Sequence, residues 1–396
     1  MDGRVVVVVT GGVAAFKSLE VVRELLERGY EVETVQTEAA RQFLGAQSLA
    51  SIAHANPFES LFGSSPSPHT ELAHWADLLV VVPASADFLA KMAHGIADDL
   101  ASALVLAFAG PVVVAPAMHS AMWEAPATRR NVDLLAADGV HFVGPTQGRL
   151  AGGDQGVGRL VDPTWIVEAV GYWLVPTSRS LTGLSITVSV GGTREPIDAV
   201  RYLGNRSSGR QGYAIARAAA IAGAKVRCVA TVEPAFPADL IDVVRVETAV
   251  ELLDAMLEAQ IDSDVLIMSA AVADFRVAAP FFGKVKREGT ERLDLSLVAN
   301  PDVLVELVEH RREGQLIVGF AAEVEALEES VAKKLAKKGV DLMVGNNVAT
   351  PGTGFGSPEN AVYLLDRTGR ESHVPLSSKT EVARAILAAI ATLAGV

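Results

Sequence analysis

The 396-residue sequence holds one cysteine, Cys228, and few aromatic residues, which make up 6% of the chain. A single cysteine excludes a disulfide scaffold and any cysteine-based zinc cluster, and it is typical of a reducing compartment. No apolar run approaches the ~18 to 20 residues that a bilayer-spanning helix needs, and the first residues lack the pattern of a signal peptide. We therefore expect a cytoplasmic protein that does not enter the membrane.

Positive charge is also scarce, since 34 basic residues stand against 47 acidic ones and the formal net charge is −13. This balance argues against nucleic-acid binding, which relies on lysine and arginine to neutralise phosphates. Small anionic ligands would need basic residues that are concentrated locally. Half of the residues are hydrophobic, which excludes a disordered chain and provides material for large cores.

The pattern of strands and helices restarts once along the chain. A valine-rich strand at residues 4–10 runs into a Gly-Gly turn and a helix, and a second apolar strand at 185–190 also runs into a Gly-Gly turn. The polar stretch 175–183 lies between the two series. Fully apolar strands that alternate with helices are typical of doubly wound parallel sheets. The sequence therefore predicts an α/β protein with two Rossmann-like domains, at residues 1–175 and 184–396.

The two Gly-Gly turns, which begin at Gly11 and Gly191, are the first indication of function. A glycine turn between a strand and a helix lets the backbone approach a phosphate at the positive end of the helix. A tight turn that needs positive φ explains each of them equally well. Neither turn completes the G-x-G-x-x-G fingerprint or a Walker loop. The matching turns favour nucleotide-like or phosphate-bearing ligands and argue against a nicotinamide oxidoreductase.

Four short stretches of the first half carry a more specific signal: GGVAAFK (11–17), HTELAHWAD (69–77), PASAD (83–87) and PAMHSAMW (116–123). Each is expected at or just beyond the carboxyl end of a strand, where open α/β sheets bind ligands. Together they resemble the flavin-dependent cysteine decarboxylases, in particular the decarboxylase half of the bifunctional phosphopantothenoylcysteine decarboxylase/phosphopantothenate–cysteine ligases. The resemblance implies a flavodoxin-like domain that binds FMN.

Individual roles in the first half are implied by this resemblance. It places Gly12 and Thr37 at the FMN phosphate, and Ser85 and Met118 along the flavin. It also makes His69 a catalytic histidine, although a histidine at the edge of a loop is by itself more often structural. The FMN site and the catalytic histidine are therefore expectations that come from the motifs as a set.

The first half departs from the family pattern at two positions. His119 stands in PAMH where the family has an asparagine that binds the substrate carboxylate, and Gly152 stands where the family has a proton-donating cysteine. The half is therefore either inactive or protonates its product by another route. Actinobacterial members of the family share both features, so we favour an active variant. His119 becomes a catalytic candidate because an imidazole exchanges protons near neutral pH.

The second half resembles the CTP-dependent phosphopantothenate–cysteine ligases, and its six matching stretches follow the order and spacing of that family. They are GGTREPIDAVRYLGNRSSGRQGYAIA (191–216), AAVADFR (270–276), KVKR (284–287), NPDVL (300–304), VGFAAE (318–323) and KKLAKKGVDLMVGNNV (333–348). Activating a carboxylic acid with a nucleoside triphosphate requires cations on the phosphates and a group that stabilises the reacting phosphorus. The lysines and arginines of these stretches provide the local basicity that a net-acidic chain needs.

The resemblance assigns roles to particular positions of the second half. Lys334 and Lys338, four residues apart on one helical face, would bind the CTP triphosphate, although lysines in a last helical turn also simply complement the helix dipole. Lys284 would stabilise the reacting phosphorus, and Asn205 would handle the acyl-cytidylate. The nucleoside would be held by Met268, Ser269, Ala270, Asp274, Asn300, Pro301, Asp302, Val303 and Phe320. The triphosphate implies Mg2+, for which the sequence identifies no protein ligand.

The two resemblances imply a bifunctional enzyme of coenzyme A biosynthesis that acts on 4′-phosphopantothenate, cysteine and CTP. The second half would join the acid to cysteine, and the first half would decarboxylate the product to 4′-phosphopantetheine. A homo-oligomer is implied as well, with trimeric decarboxylase halves, dimeric ligase halves and together a dodecamer. The rival hypotheses are an active ligase with a catalytically impaired, flavin-binding assembly domain, and a regulatory flavoprotein without catalysis.

Overall fold

The structure is a computed structural model, and it describes residues 3–62, 66–286, 292–323, 325–347 and 356–396. The chain forms two compact units that divide between Ser178 and Arg179. Within the described ranges, no helix is both long enough and apolar enough to cross a bilayer.

Unit 1 is built on a parallel sheet of five strands in the order β2-β1-β3-β4-β5. The strands are β1 (Arg4–Val9), β2 (Glu31–Gln36), β3 (Leu78–Ala84), β4 (Val112–Pro116) and β5 (His141–Phe142). All five valines of β1 are fully buried, as expected for a central strand covered on both faces. This order is that of the flavodoxin-like sheet, in which ligands bind where the order reverses, between β1 and β3.

Helices and one hairpin complete unit 1. The helices are α1 (Ser18–Glu27), α2 (Glu38–Arg41), α3 (Ala46–Ala53), α4 (Pro68–Trp75), α5 (Ala86–His94), α6 (Leu100–Ala107), α7 (Ser120–Glu124), α8 (Pro126–Ala137) and α9 (Pro163–Trp173). A 3-10 turn, Val13–Lys17, precedes α1. An antiparallel hairpin, which we call the flap hairpin, consists of β6 (Thr146–Arg149) and β7 (Gln155–Arg159) with its tip at residues 150–154.

Unit 2 contains a mixed sheet of eight strands in the order β12-β11-β8-β13-β16-β17-β18-β19. The first six are parallel: β8 (Ser185–Val190), β11 (Lys225–Ala230), β12 (Ile241–Arg245), β13 (Val265–Met268), β16 (Leu316–Glu323) and β17 (Leu342–Asn347). Their order is the Rossmann order 3-2-1-4-5-6, which reverses between β8 and β13. The sheet ends in an antiparallel hairpin of β18 (Glu359–Asp366) and β19 (Glu371–Ser378).

Among the described residues of unit 2, two small hairpins and five helices surround this sheet. The hairpins pair β9 (Arg194–Pro196) with β10 (Tyr202–Gly204) and β14 (Phe275–Val277) with β15 (Leu297–Ala299). The helices are α10 (Arg210–Ile221), α11 (Ala249–Gln260), α12 (Val303–Glu309), α13 (Leu327–Lys338) and α14 (Lys379–Ala394). The predicted fold class, a flavodoxin-like half followed by a Rossmann-like half, is confirmed.

One local prediction was wrong. The stretch HTELAHWAD does not follow a strand; most of it forms α4, which leads into β3. The helix starts at Pro68, since proline is favoured in the first turn of a helix. The segment after the first Gly-Gly turn begins as the 3-10 turn at Val13. In unit 2, α10 starts at Arg210, after Gly209 turns the chain with φ 73°.

A buried carboxylate connects three strands of unit 2. The side chain of Asp341, fully buried before β17, accepts a hydrogen bond from the Ile317 N–H at 2.7 Å. It also lies 3.3 Å from the guanidinium of Arg311 and 2.5 Å from that of Arg367. Two cations and one amide therefore satisfy a charge that burial would otherwise make costly.

We predict that Asp341→Ala loosens the sheet at this point. Amide protons of peptide 316–323 should exchange at least about 100-fold faster, because breaking a buried ion pair costs about 3–5 kcal/mol. Hydrogen exchange followed by mass spectrometry measures this directly. Asp242→Ala is the matched control, since Asp242 pairs with Arg227 at 2.7 Å but keeps 59% of its side chain exposed. Exposed pairs contribute only about 0–1 kcal/mol, so equal effects of the two substitutions would contradict the prediction.

Candidate active sites of the two units

A cavity of about 590 Å³ opens at the carboxyl ends of β1, β3 and β4 in unit 1. Its volume falls in the range of about 300–1,000 Å³ that is usual for small-molecule sites. The lining is mostly apolar, with a few cationic and polar side chains at its edge. The residues from the motifs GGVAAFK, PASAD and PAMHSAMW that line it are Gly11, Gly12, Val13, Ala14, Phe16, Lys17, Ser85, Ala86, Ala117, Met118, His119 and Met122.

The two glycines after β1 differ in what requires them. A Cβ at Gly11 would lie 2.6 Å from the Ala39 Cβ, so packing inside the protein excludes a side chain there. A Cβ at Gly12 would meet no protein atom within 4 Å, and the φ of 171° is accessible to any residue. Nothing in the protein itself requires glycine at position 12, and its open side lies in the wall of the cavity. Close approach of a ligand to the backbone explains this glycine.

Hydroxyl groups hold the rim of the cavity in place. The Thr10 hydroxyl donates to the Pro83 carbonyl at 2.6 Å and accepts from the Ser85 N–H at 3.0 Å, which joins the ends of β1 and β3. The Ser85 side chain caps α5 by accepting from the Phe88 N–H at 3.2 Å. Thr37 is buried and caps α2 in the same way, but it is not part of the cavity wall. The structure thus brings Gly12, Ser85 and Met118 together and leaves Thr37 outside.

His119 is held in a defined orientation at the cavity edge. Its Nδ1 accepts a hydrogen bond from the Ala121 N–H at 3.2 Å, so the proton of the neutral ring is on Nε2. Nε2 lies 3.3 Å from the Asp154 Oδ2, at the tip of the flap hairpin. Asp154 was not predicted from the sequence, because a contact between residues 35 positions apart leaves no local pattern.

Asp154 also occupies the region that a side chain at position 152 would reach. A Cβ built on Gly152 would lie 3.2 Å from the Asp154 Oδ2. The carboxylate of Asp154, which pairs with the imidazole of His119, therefore lies next to position 152, where the resemblance implies a cysteine in other members of the family.

Glycines allow the flap hairpin to lie directly on the segment after β4. A Cβ at Gly156 would be 2.2 Å from the Ser120 Oγ, and a Cβ at Gly158 would be 2.2 Å from the Met118 carbonyl oxygen. The Met118 N–H donates to the Gly158 carbonyl at 2.9 Å. Residues two apart in a strand share a face, so Gly156 and Gly158 leave one face of β7 without side chains. The segment that carries Met118 and His119 packs directly on that face.

His69 lies in the first turn of α4, and it is not among the residues that line the cavity. Its Nδ1 is buried and has no hydrogen-bond partner within the part of the chain that the structure describes. Buried polar atoms are normally satisfied. His69 is thus not part of the cavity wall, and its predicted catalytic role remains a prediction.

In unit 2 the segments that follow β8 and β13 are joined by hydrogen bonds. The Ala271 N–H donates to the Gly191 carbonyl at 2.9 Å, and the Thr193 N–H donates to the Ala271 carbonyl at 3.2 Å. Side-chain hydroxyls extend this link, since Ser189 accepts from the Ala270 N–H at 3.0 Å and Thr193 accepts from the Ala273 N–H at 2.9 Å. The GGT and AAVAD motifs are thereby fixed side by side at the reversal of the strand order.

Three predicted ligase residues are attached to this joined segment. The Asn205 amide donates to the Val272 carbonyl at 3.1 Å. The Asn300 amide donates to the Ala273 carbonyl at 2.8 Å, and the Asn300 N–H donates to the Asp274 carbonyl at 2.9 Å. The structure therefore brings Asn205, Asp274 and Asn300 together around residues 272–274.

The two predicted triphosphate lysines both lie on α13, and both are ion-paired. The Lys334 Nζ lies 2.6 Å from a carboxylate oxygen of Glu323, at the end of β16. The Lys338 ammonium pairs with Asp302, whose other carboxylate oxygen accepts from the Val305 N–H and caps α12. Lys338 and the NPDVL stretch, with Pro301 and Val303, are thus adjacent.

Lys284 is exposed, and hydrogen bonds to the next residue, Val285, hold its loop in place. Asp198 is buried and accepts from the Val285 N–H at 3.2 Å, while the Arg201 guanidinium donates to the Val285 carbonyl at 2.6 Å. Burial raises the pKa of Asp198, but hydrogen bonds from three backbone N–H groups outweigh it and the pKa lies below its usual range. Asp198 and Arg201 are positioning residues that the sequence analysis missed, and Arg287 of KVKR lies outside the described residues.

A second cavity, of about 140 Å³, lies at the carboxyl edge of the unit 2 sheet. Ser269, Ala270 and Phe320 from the predicted nucleoside set line it, whereas Met268 is buried in the core beneath.

Among the residues that the structure describes, no group of three or more His, Cys, Asp or Glu side chains could hold a metal ion. Cys228 is buried, which raises the pKa of its thiol to about 12 and leaves it unreactive.

Comparisons with known proteins agree with this division into two units. The family described as Flavoprotein matches residues 2–174, and the DNA/pantothenate metabolism flavoprotein C-terminal domain matches residues 181–393. The Coenzyme A biosynthesis bifunctional protein CoaBC of Bacillus subtilis is 38% identical over 98% of this chain and 97% of its own length. The protein of the same name from Mycobacterium bovis is 42% identical over 99% and 97%, respectively. A crystal structure of the C-terminal domain of such a protein is 34% identical, with a TM-score of 0.46, and covers 55% of this chain and 98% of its own.

We predict that Gly158→Ala weakens flavin binding in unit 1 by about tenfold or more, because the new methyl group would collide with the Met118 carbonyl and displace that segment. Titration of the flavin-free chain with FMN, followed by flavin fluorescence, measures the dissociation constant. Gly153→Ala is the matched control, since Gly153 also has positive φ (95°) but a Cβ there would meet nothing within 4 Å. Both substitutions carry similar backbone strain, so equal affinities would contradict the argument.

Proposed function

This chain belongs to the family of the coenzyme A biosynthesis bifunctional proteins, and on that premise we propose that each of its two units carries one of two successive activities. Unit 2 joins 4′-phosphopantothenate to cysteine at the expense of CTP, and unit 1 decarboxylates the resulting phosphopantothenoylcysteine to 4′-phosphopantetheine. The observation that supports this most directly is that each unit has its own cavity at the reversal of its strand order. Residues from the sequence motifs line both cavities.

The ligase reaction needs two steps, for which unit 2 offers separate groups. In the first step a carboxylate oxygen of the acid attacks the α-phosphorus of CTP, an acyl-cytidylate forms and pyrophosphate leaves. In the second step the cysteine amine attacks the acyl carbon, an amide forms and CMP leaves. Lys284 would stabilise charge on the reacting phosphorus, and Asn205, beside Val272, would hold the acyl group.

Nucleotide binding would use the groups fixed around residues 272–274 and on α13. Asp274, Asn300 and the NPDVL stretch, with Asp302, would contact the nucleoside, together with Ser269, Ala270 and Phe320. Lys334 and Lys338 would turn from Glu323 and Asp302 toward the triphosphate. Mg2+ would arrive with the nucleotide, since this ion commonly binds through substrate phosphates and keeps much of its water shell.

The cavity of unit 1 fits FMN in size, lining and chemistry. The side-chain-free backbone at Gly12 would approach the phosphate, at the start of the 3-10 turn, and Ser85 and Met118 would lie along the flavin. When bound, FMN would supply the two-electron chemistry that lets CO2 leave from a carbon next to CH2–SH. The protein's part is to orient the substrate, to exclude water and to move protons.

His119 is the proton donor that we propose for the last step in unit 1. Its Nε2–H faces the carboxylate of Asp154 at 3.3 Å, which orients the ring at the cavity edge. The proton would be added to the carbon that has lost CO2, and Asp154 would act as a positioning residue. This arrangement argues against the alternative of a catalytically impaired first unit, because the function of the missing cysteine has a candidate replacement.

We also propose that the chain assembles through both units, with trimeric decarboxylase units and dimeric ligase units. In unit 2, several apolar side chains on the two small hairpins are exposed, and an interface between copies would cover them. They are Tyr202, Leu203, Phe275, Leu297 and Val298.

The complete reaction tests the proposed function. Holoprotein supplied with 4′-phosphopantothenate, cysteine and Mg–CTP should release pyrophosphate and CO2 in equal amounts, and omission of CTP should stop both. Lys284→Gln should abolish pyrophosphate release, yet it should still yield CO2 when phosphopantothenoylcysteine is supplied ready-made. Pyrophosphate without CO2 would favour the impaired-unit alternative, and release of neither product would refute the proposal.

His119→Asn should separate decarboxylation from the final protonation. The asparagine can still bind the substrate carboxylate, so CO2 should form. The decarboxylated product should, however, remain an enethiol, which has a C=C bond and two hydrogen atoms fewer than 4′-phosphopantetheine, and this enethiol should accumulate. Mass spectrometry of the quenched reaction distinguishes the two products by two hydrogen atoms. Asp154→Ala leaves the imidazole present but free to rotate, and we expect a slower version of the same defect. If His119→Asn forms phosphopantetheine at the normal rate, the proton comes from another group.

A further inference from the structure

Two of the sequence motifs in unit 2 are joined by the short hairpin of β14 and β15. The stretch AAVADFR ends on β14 and NPDVL begins directly after β15, with Phe275 opposite Ala299 and Arg276 opposite Val298. Each strand has only three residues, and all three residues of β15 are exposed. A hairpin of this size gains little stability from its own pairing. Further contacts are needed to hold the NPDVL stretch at a fixed distance from residues 273–274.

Arg276 provides such a contact from the middle of β14. Its Nη1 group donates to the Ala299 carbonyl at 2.8 Å and to the Asn300 Oδ1 at 3.1 Å. The Asn300 Nδ2 group in turn donates to the Ala273 carbonyl at 2.8 Å, and the Asn300 N–H donates to the Asp274 carbonyl at 2.9 Å. These hydrogen bonds connect the end of β15 with β14 and with the segment that runs into it.

The guanidinium also determines how the carboxamide of Asn300 is oriented. A guanidinium only donates hydrogen bonds, so the oxygen end of the carboxamide has to face Arg276. The nitrogen end then points to the Ala273 carbonyl, which can only accept. Without Arg276 the Oδ1 of Asn300 loses this partner, and the carboxamide can rotate away from Ala273.

The placement of Asn300 bears on the groups that follow it in the chain. Asp302 caps α12 by accepting from the Val305 N–H at 3.3 Å, and it pairs with Lys338, one of the predicted triphosphate lysines. Asn300 is separated from Asp302 by a single proline, whose ring fixes φ. A displacement of Asn300 would therefore be passed on to Asp302 and to its ion pair.

We propose that Arg276 is a positioning residue of the ligase unit, which holds the NPDVL stretch in its binding geometry before CTP arrives. The inference rests on the proposed function of unit 2 and adds to it a residue outside the set predicted to contact the nucleotide. The two hydrogen bonds of Arg276 described above go to uncharged acceptors of the protein. The role therefore depends on the direction of its donors more than on its charge. Pre-organisation of this kind lowers the cost of ordering a site when its ligand binds.

Steady-state kinetics of the full-length holoprotein test this role, with pyrophosphate release as the readout. Arg276→Ala should raise the KM for CTP about 10- to 100-fold, the effect of losing a hydrogen bond from a charged donor. The kcat and the KM for 4′-phosphopantothenate should stay close to those of the wild type, because only binding of the nucleotide is weakened. Arg276→Lys keeps the charge but replaces the planar fork with a flexible ammonium, so it should restore little of the affinity.

A double-mutant cycle shows whether Arg276 acts through Asn300. Asn300→Ala alone should also raise the KM for CTP. The double variant should resemble the worse of the two single variants, because residues of one hydrogen-bond network do not contribute additively. Full additivity would mean that Arg276 acts independently of Asn300, and it would overturn the inference.

Arg312→Ala is the matched control. Its guanidinium also donates to main-chain carbonyls, those of Gln260 and Ser263, but it lies before the amino end of β16, at the opposite edge of the sheet. The inference is wrong if Arg276→Ala has the same KM for CTP as this control, if it raises the KM of both substrates equally, or if Arg276→Lys restores full affinity. The ligase assignment stands in those cases, because the wild type still releases pyrophosphate from CTP. A wild type that releases none would refute the proposed function, and the inference with it.

Discussion

Each unit depends on a hydrogen-bonded link across the point where its strand order reverses. In unit 1 the hydroxyl of Thr10 joins the end of β1 to the end of β3, at Pro83 and Ser85. In unit 2 the hydroxyls of Ser189 and Thr193 join the end of β8 to the segment after β13. At such a point the connections leave in opposite directions and a crevice opens between neighbouring strands. The hydroxyls therefore hold the two sides of each crevice together at its base.

These links matter for geometry more than for stability. A typical hydrogen bond contributes a net ~0.5–1.5 kcal/mol, which is small beside the burial of the valine-rich strands. The effect of the links in unit 2 is that residues 271–273 are tied to the end of β8. Asn205 and Asn300 are attached to that same segment through main-chain carbonyls, so the proposed acyl and nucleoside groups share one rigid support. A catalytic arrangement needs this kind of pre-organisation, because small displacements of reacting groups are costly in rate.

The fold class and the buried strands could be predicted from the sequence, because buried parallel strands produce apolar runs and glycine turns mark their carboxyl ends. Gly12, Ser85 and Met118 line the unit 1 cavity as predicted, whereas Thr37 and His69 do not. The contacts that complete the sites could not be predicted. Asp154 contacts His119 from the tip of a hairpin of short polar strands, and such strands carry no hydrophobic periodicity. Asp198 supports the loop of Lys284 through backbone N–H groups, which every sequence has and no motif marks.

The placement of charge in unit 2 suggests how a net-acidic protein can bind a polyanion without losing selectivity. Lysines that are already paired, such as Lys334 with Glu323, contribute little net affinity, since the ligand must displace a carboxylate that then loses its own partner. Their pairing nevertheless disfavours weak anions, because only a highly charged and well-placed group can compete with a carboxylate 2.6 Å away. A ligand with several linked phosphates would therefore compete better for the lysines of α13 than a single weakly charged anion.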